Sequence, residues 1–260
     1  MSNIQAFILG IIQGLTEFLP ISSTGHLFIG RHLFGLDEAG LFLDTMLHVG
    51  TLLAVLVVYK DDLLHIVKHP FSKLTKIMIV GTIPAVIAGF LFKDFFDSIS
   101  KSGVTIGWEF LATGAILWWA EASKKNGSKK LEDIRYSDAL IIGTFQAAAI
   151  FPALSRSGLT IAAGLVRKLD RETAAYFSFL LSTPAILGGI VLQGKDLFTG
   201  QAESISLTSL LFGTIASAIF GYFAIVGMIN FLKKKSLKIF AYYVWGLGLF
   251  IITLQMIGIF

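Results

Sequence analysis

Between residues 17 and 26 the chain reads EFLPISSTGH, which gathers one carboxylate, three hydroxyls, a glycine and an imidazole into ten positions. A second polar cluster, FPALSRSG at 151–158, adds two serines, an arginine and a glycine. Hydroxyl, imidazole, carboxylate and guanidinium are the groups that phosphoryl transfer uses as nucleophile, acid or base, and charge clamp. Local geometry supports the grouping. Gln13 and Glu17 are four apart and so share a helix face. Pro20 ends that helix, and Ser22 or Ser23 can cap the next, with Thr24 and Gly25 in its first turn. In the second cluster Pro152 closes one helix, and Ser155, Arg156, Ser157 and Gly158 open another. Free amides at a helix N-terminus form an anion site, and arginine suits bidentate contact with phosphate. If the two tips meet, a phosphorylated ligand is the expected occupant.

The elements that must hold these tips are apolar. The chain is 55% hydrophobic and 15% charged, with a mean hydropathy of +0.77, well below the roughly 25% charged residues of a soluble domain. Its 26 glycines and 23 phenylalanines suit a polytopic membrane protein, in which small residues let helices approach closely. With no cysteine, disulfides and thiolate chemistry are excluded. The net charge of +4 does not point to nucleic acid, because the lysines lie in short loops between apolar runs, a pattern of membrane topology. The N-terminus has neither a basic region nor a small-residue cleavage site, so no removable signal peptide is expected. No phosphate-loop glycine motif, zinc-ligand spacing or nucleic-acid module is present.

Six stretches approach the about 20 apolar residues of a transmembrane helix: 41–58, 76–95, 104–120, 174–193, 207–231 and 239–259. Segments 4–35 and 137–166 are too long for one span and carry the polar clusters at their centres. Non-helical backbone at membrane depth survives only when buried in protein or lining a wet cavity, so each reads as a re-entrant helix–loop–helix hairpin. An offset of 133 carries Gly10 onto Gly143, Gln13 onto Gln146, Ser22 onto Ser155, Gly25 onto Gly158, and Leu36-Asp37 onto Leu169-Asp170. It also registers the span pattern, which indicates internal duplication. The expected fold is therefore a single all-α polytopic membrane domain over 1–260, with repeats at about 1–121 and 134–260. Each repeat has one re-entrant hairpin and three spans. Because three is odd, the second half is inverted, and such folds place their site where broken helices meet.

Orientation follows from basic residues. Loops 59–76, 121–136, 167–171 and 232–238 carry sixteen Lys and Arg, against Arg31, Lys93, Lys101 and Lys195 on the other side. The positive-inside rule makes the sixteen-charge side cytoplasmic, so both termini and the mouth of the first hairpin face outward.

QGLTEFLPISSTGH at 13–26 resembles the (E/Q)xxxE motif and the block that follows it in the undecaprenyl-diphosphatase (bacitracin-resistance) family. PALSRSG at 152–158 resembles that family's PGxSRSG motif, with Ala153 where the pattern has glycine, a methyl expected to tighten the loop slightly. The resemblance covers essentially the whole chain. It implies release of the terminal phosphate from undecaprenyl diphosphate, which regenerates the lipid carrier of cell-wall synthesis in the bacterial plasma membrane. It also implies a divalent cation, Mg²⁺ or Ca²⁺, and site residues Glu17, Ser23, His26 and Arg156, with Gln13 at the variable motif position.

Within that frame Ser23 is the expected nucleophile. His26 is its general base and later that of water, or is itself the nucleophile. Glu17 orients His26 or holds the cation, and Gln13 supports the loop or a metal-bound water. A lone carboxylate makes no protein-only metal cage, so the cation is expected to ride largely on substrate oxygens. Arg156 meets the diphosphate, assisted by Ser22, Thr24, Gly25, Ser155, Ser157 and Gly158. Asp44 and His48, four apart, pair with each other or flank the site. Glu109 reads as interfacial, and Trp108, Trp118 and Trp119 as an aromatic belt.

The partners expected are a polyprenyl diphosphate and the bilayer, with a homo-oligomer left open. A transporter or flippase of a phosphorylated lipid is the alternative, because inverted repeats with broken helices also build transporters. Against it, the offset counterparts of Glu17 and His26 are Ile150 and Leu159, so acid and base groups are confined to one half. A passive anion channel would need a polar stripe along whole spans, which is not seen.

Overall fold

The structure, a computed structural model, describes residues 1–36, 41–92, 103–123, 127–198, 205–258 and 260. Asp37, Lys93, Lys101, Lys124 and Lys125, used in the repeat and charge arguments above, lie outside the described residues, as does the side chain of Lys195. Eleven α-helices are present among the described residues: α1 (Asn3–Phe18), α2 (Ser23–Leu33), α3 (Leu41–Val58), α4 (Lys60–Lys68), α5 (Lys73–Leu91), α6 (Ile106–Ala122), α7 (Tyr136–Ala148), α8 (Arg156–Val166), α9 (Arg171–Phe198), α10 (Leu207–Lys234) and α11 (Lys238–Met256). A short 3-10 turn spans Leu131–Asp133. The described residues contain no strand, only an isolated bridge between Lys129 and Leu169.

Four helices, α5, α9, α10 and α11, are long and apolar enough to cross a membrane. A fifth span is reached if α3 and α4 are counted together, although they meet at 82°. The sequence reading treated 59–76 as loop, and α4 corrects it. KDDLLHIVK places Asp61 and Asp62 in its first turn and His65 and Lys68 in its last, the arrangement that complements the helix dipole. At 17 residues, α6 is the shortest helix found in an expected span.

Packing follows membrane rather than soluble rules. Large apolar side chains face outward along α5 and α10, among them Ile79, Ile83, Phe90, Leu211, Phe212, Ile215 and Phe223. Small residues occupy the crossings, where close backbone approach supplies dispersion contacts. A Cβ on Gly10 would collide with the carbonyl of Gly213 on α10, and one on Gly143 with the backbone of Gly81 on α5. Hydroxyls add cross-links: Ser217 donates to the Leu47 carbonyl at 2.7 Å and Thr214 to that of Met46 at 3.1 Å, tying α10 to α3. The largest buried cluster fully encloses Phe18, Leu117, Ile142, Phe177 and Phe179, and a smaller one of Ile21, Ile106, Phe110, Ala153 and Val244 packs at the helix breaks.

Candidate active site

Two helix breaks face each other at the centre of the fold. Ser22 and Ser155 are the N-caps of α2 and α8, and their hydroxyls accept the amides of Gly25 at 3.3 Å and Gly158 at 3.0 Å. Ser22 sits at φ 70° and ψ 104°, a conformation that costs a non-glycine residue of order 1–3 kcal/mol. The strain is held by its carbonyl, which accepts both the backbone amide of His26 at 3.3 Å and the ring Nδ1 of His26 at 2.6 Å. Ser157 donates its hydroxyl to the Leu19 carbonyl at 2.9 Å, locking one tip onto the other. Ala153 is fully buried, and it is not among the residues with positive φ, so its methyl imposes no backbone strain.

Glu17 is the hub. One carboxylate oxygen accepts the Ser23 hydroxyl at 2.5 Å and the Gln13 amide at 3.0 Å. The other accepts the Arg156 guanidinium, so a single buried carboxylate joins the two tips. His48 on α3 brings its Nε2 to 3.7 Å from the first oxygen. Removing the Glu17 and Arg156 charges from water is costly, and the ion pair with its added hydrogen bonds is what makes their burial tolerable. The second Arg156 terminal nitrogen, Nη1, is buried with no protein acceptor, a donor that a phosphate oxygen would satisfy. By helix geometry, the first-turn amides of α2 and α8 lack intrahelical partners, which favours an anion here.

A cavity of about 630 Å³ opens on this cluster. Glu17, Ser22, Ser23, Thr24, His48, Ser155 and Arg156 line it on one side, and largely apolar stretches of α5 and α9 line the other. Several expected ligand residues are elsewhere. Gln13 is fully buried behind Glu17, Ser157 is spent on Leu19, and a side chain on Gly25 would run into Phe110. Gly158 faces Ser155 and Pro20. These four shape the tips rather than line the cavity.

The largest departure concerns His26. It lies one turn beyond Ser23, yet the ring is drawn to the Ser22 carbonyl, and its Nε2 meets the Tyr243 hydroxyl at 2.8 Å. It stacks on Tyr243, touches neither Ser23 nor Glu17 by hydrogen bond, and is absent from the cavity wall. Ser23 is instead paired with Glu17. Asp44 and His48 do not pair through their side chains either: the Asp44 carboxylate meets Arg31, while His48 Nδ1 meets the Asp44 carbonyl at 2.7 Å.

Glu109, read as interfacial, is buried and accepts the Ala153 amide; Thr113, one turn on, accepts the Ser155 amide at 3.2 Å. Together they hold the second tip. The signal was available, because a carboxylate within a span is functional by default and Thr113 shares its helix face. Trp108 and Trp119 are exposed as an aromatic belt requires, whereas Trp118 packs against Tyr242 and Trp245 beneath Lys238.

The donor set does not fit a cation held by the protein. Both Glu17 oxygens are engaged, one by a guanidinium, and no three His, Asp or Glu side chains gather as a metal site among the described residues. A Mg²⁺ or Ca²⁺ ion would need several oxygen ligands.

An all-helical membrane fold with a serine, a buried carboxylate and an arginine facing an apolar wall across one cavity defines the class: a membrane protein equipped for chemistry on a phosphorylated lipid. The chain belongs to the bacitracin resistance protein BacA family, whose model matches residues 6–250. It is 69% identical over 260 residues to Undecaprenyl-diphosphatase 4 of Bacillus thuringiensis, with both chains covered in full. It is also 47% identical over 262 residues to the undecaprenyl-diphosphatase of Carboxydothermus hydrogenoformans and 44% identical over 262 residues to that of Halothermothrix orenii, again over the full length of each.

Proposed function

We infer that this chain is an integral membrane phosphatase that hydrolyses undecaprenyl diphosphate to undecaprenyl phosphate and inorganic phosphate, recycling the lipid carrier for cell-wall synthesis. The observation that carries the reading is the Ser23 hydroxyl hydrogen-bonded to Glu17 at 2.5 Å at the wall of the cavity, within a chain so similar to named diphosphatases. Ser23 Oγ attacks the terminal phosphorus while its proton passes to Glu17. The anhydride P–O bond breaks and undecaprenyl phosphate leaves. Arg156 and the first-turn amides of α2 and α8 stabilise the charge on the transferring phosphoryl group. Water then attacks the phosphoserine and gives a proton to His48. Glu17 returns its proton to Ser23, inorganic phosphate departs, and His48 releases the proton it took to bulk water, which resets the site. His26 acts as a positioning residue that holds the strained Ser22 carbonyl. A divalent cation would have to be carried by diphosphate oxygens, because both Glu17 oxygens are engaged.

Purified protein is expected to release phosphate from undecaprenyl diphosphate, and Ser23→Ala is expected to abolish both turnover and a trapped phosphoenzyme. Undiminished turnover in Ser23→Ala would remove the nucleophile. Lipid movement across vesicles without phosphate release would favour the flippase alternative.

For topology, the same reading takes α1–α2 and α7–α8 as re-entrant hairpins among six spans, arranged as an inverted repeat with the cavity open to the outer leaflet. Its support is the helix register: the offset of 133 maps Ser23–Leu33 onto Arg156–Val166 end for end. It also exchanges the packing partners, α1 on α10 and α7 on α5. A cysteine introduced at Ser2 should react with an impermeant reagent in intact cells. Reaction only after lysis would reverse the orientation.

A further inference from the structure

Gln146 on α7 is only 2% exposed, and neither its amide nitrogen Nε2 nor its oxygen Oε1 has a protein partner. Among the described residues it is the one amide with both ends so placed. It also lines the cavity of about 630 Å³, together with Ser23, His48 and Arg156. Resting on the phosphatase reading, we propose that Gln146 is a catalytic residue that holds the hydrolytic water, with Oε1 accepting one water hydrogen and Nε2 donating to the phosphoryl group carried on Ser23.

The two halves of the chain differ at this position. The offset of 133 pairs Gln146 with Gln13. Gln13 donates Nε2 to Glu17, four residues on, at 3.0 Å and does not reach the cavity wall. Four residues beyond Gln146 stands Ile150, which offers no acceptor. A buried polar atom without a partner bears its full desolvation cost, so the Gln146 amide is completed by an occupant of the cavity.

That occupant must accept at one end and donate at the other. An ionised phosphate has acceptors only, which suit Nε2 and the unpartnered Nη1 of Arg156 but leave Oε1 facing another oxygen. Water supplies the missing hydrogen, and a side-chain amide that orients an attacking water is a recurring part of phosphoryl-transfer sites. When undecaprenyl phosphate leaves, water takes its place in line with Ser23 Oγ. The new P–O bond forms as the Ser23 Oγ–P bond breaks, one water hydrogen passes to His48, and Glu17 reprotonates Oγ. The other hydrogen, held by Oε1, stays on the oxygen and departs with inorganic phosphate.

The test compares Gln146→Met, close in shape but without the amide, and Gln146→Leu with the unaltered protein in rapid-quench runs on undecaprenyl diphosphate labelled in its terminal phosphate. The first equivalent of undecaprenyl phosphate should form within about threefold of the normal rate, because Arg156 and the first-turn amides still hold the phosphoryl group. Steady-state phosphate release should fall about a hundredfold, and label should accumulate as phosphoserine at Ser23. Since neither variant removes a hydrogen bond to protein, the thermal unfolding midpoint of the ligand-free protein should not drop. Unchanged turnover, equal slowing of both steps, a lowered midpoint or the lack of labelled protein in both variants overturns the assignment. If the unaltered protein releases no phosphate at all, it is the phosphatase reading that fails, and this assignment with it.

Discussion

Glu17→Gln protein should release phosphate from undecaprenyl diphosphate about a thousandfold more slowly than the unaltered protein. Two losses combine. The amide cannot take the Ser23 proton, and general-base catalysis alone is worth roughly 10²–10⁴. The substitution also removes the counter-charge of Arg156, whose side chain is 15% exposed, and an ion pair broken on one side costs about 3–5 kcal/mol. The variant should therefore unfold in detergent at lower temperature as well as turn over slowly. Rate and stability separate the roles, because Ser23→Ala keeps the Glu17–Arg156 pair and should lose rate without that thermal penalty. Near-normal phosphate release from Glu17→Gln, with activity abolished in His26→Ala, would return the base to the imidazole.

Arg156→Ala carries the second large effect, a fall in kcat of about 10²–10³ on the scale of a lost oxyanion donor. It also strands a carboxylate that is only 5% exposed. Combining it with Glu17→Gln makes a sharper measurement. The double variant has neither buried charge, so its thermal stability should recover part of what each single variant lost, while its activity stays at the floor. Additive stability losses in the double variant would show that the two side chains do not form the pair described here.

The tips and their caps were legible in the sequence because their causes are local. Pro20 cannot continue α1, Ser22 and Ser155 are natural N-caps, and the two blocks share one offset. The position of His26 was not. Helical spacing puts it one turn from Ser23, but the Ser22 carbonyl, which already accepts the His26 amide, has a second lone pair within reach of the ring, and that local bond outcompetes Ser23. His48 repeats the event, its Nδ1 taken by the carbonyl four residues earlier while its Nε2 turns to Glu17. Which carboxylate meets which donor across elements depends on tertiary packing, as Asp44 with the Arg31 guanidinium and Glu109 with the Ala153 amide illustrate. The helix α4 was hidden in a charged run of only nine residues, too short for an apolar period to show. Along the α5 and α9 wall of the cavity, Gly89, Gly188 and Gly189 face open space, a property no residue type reveals alone.

One register coincidence reaches beyond catalysis. Ser23 and Arg156 are the first residues of α2 and α8, the same rung of two equivalent ladders. A half-length ancestor assembled as a symmetric homodimer would have offered two serines or two arginines there, never one of each. On our proposal that the halves are duplicates, joining them in one gene let that rung diverge, and the protein depends on its two copies being unlike. Split again into separate chains, the halves would have activity only as a heterodimer.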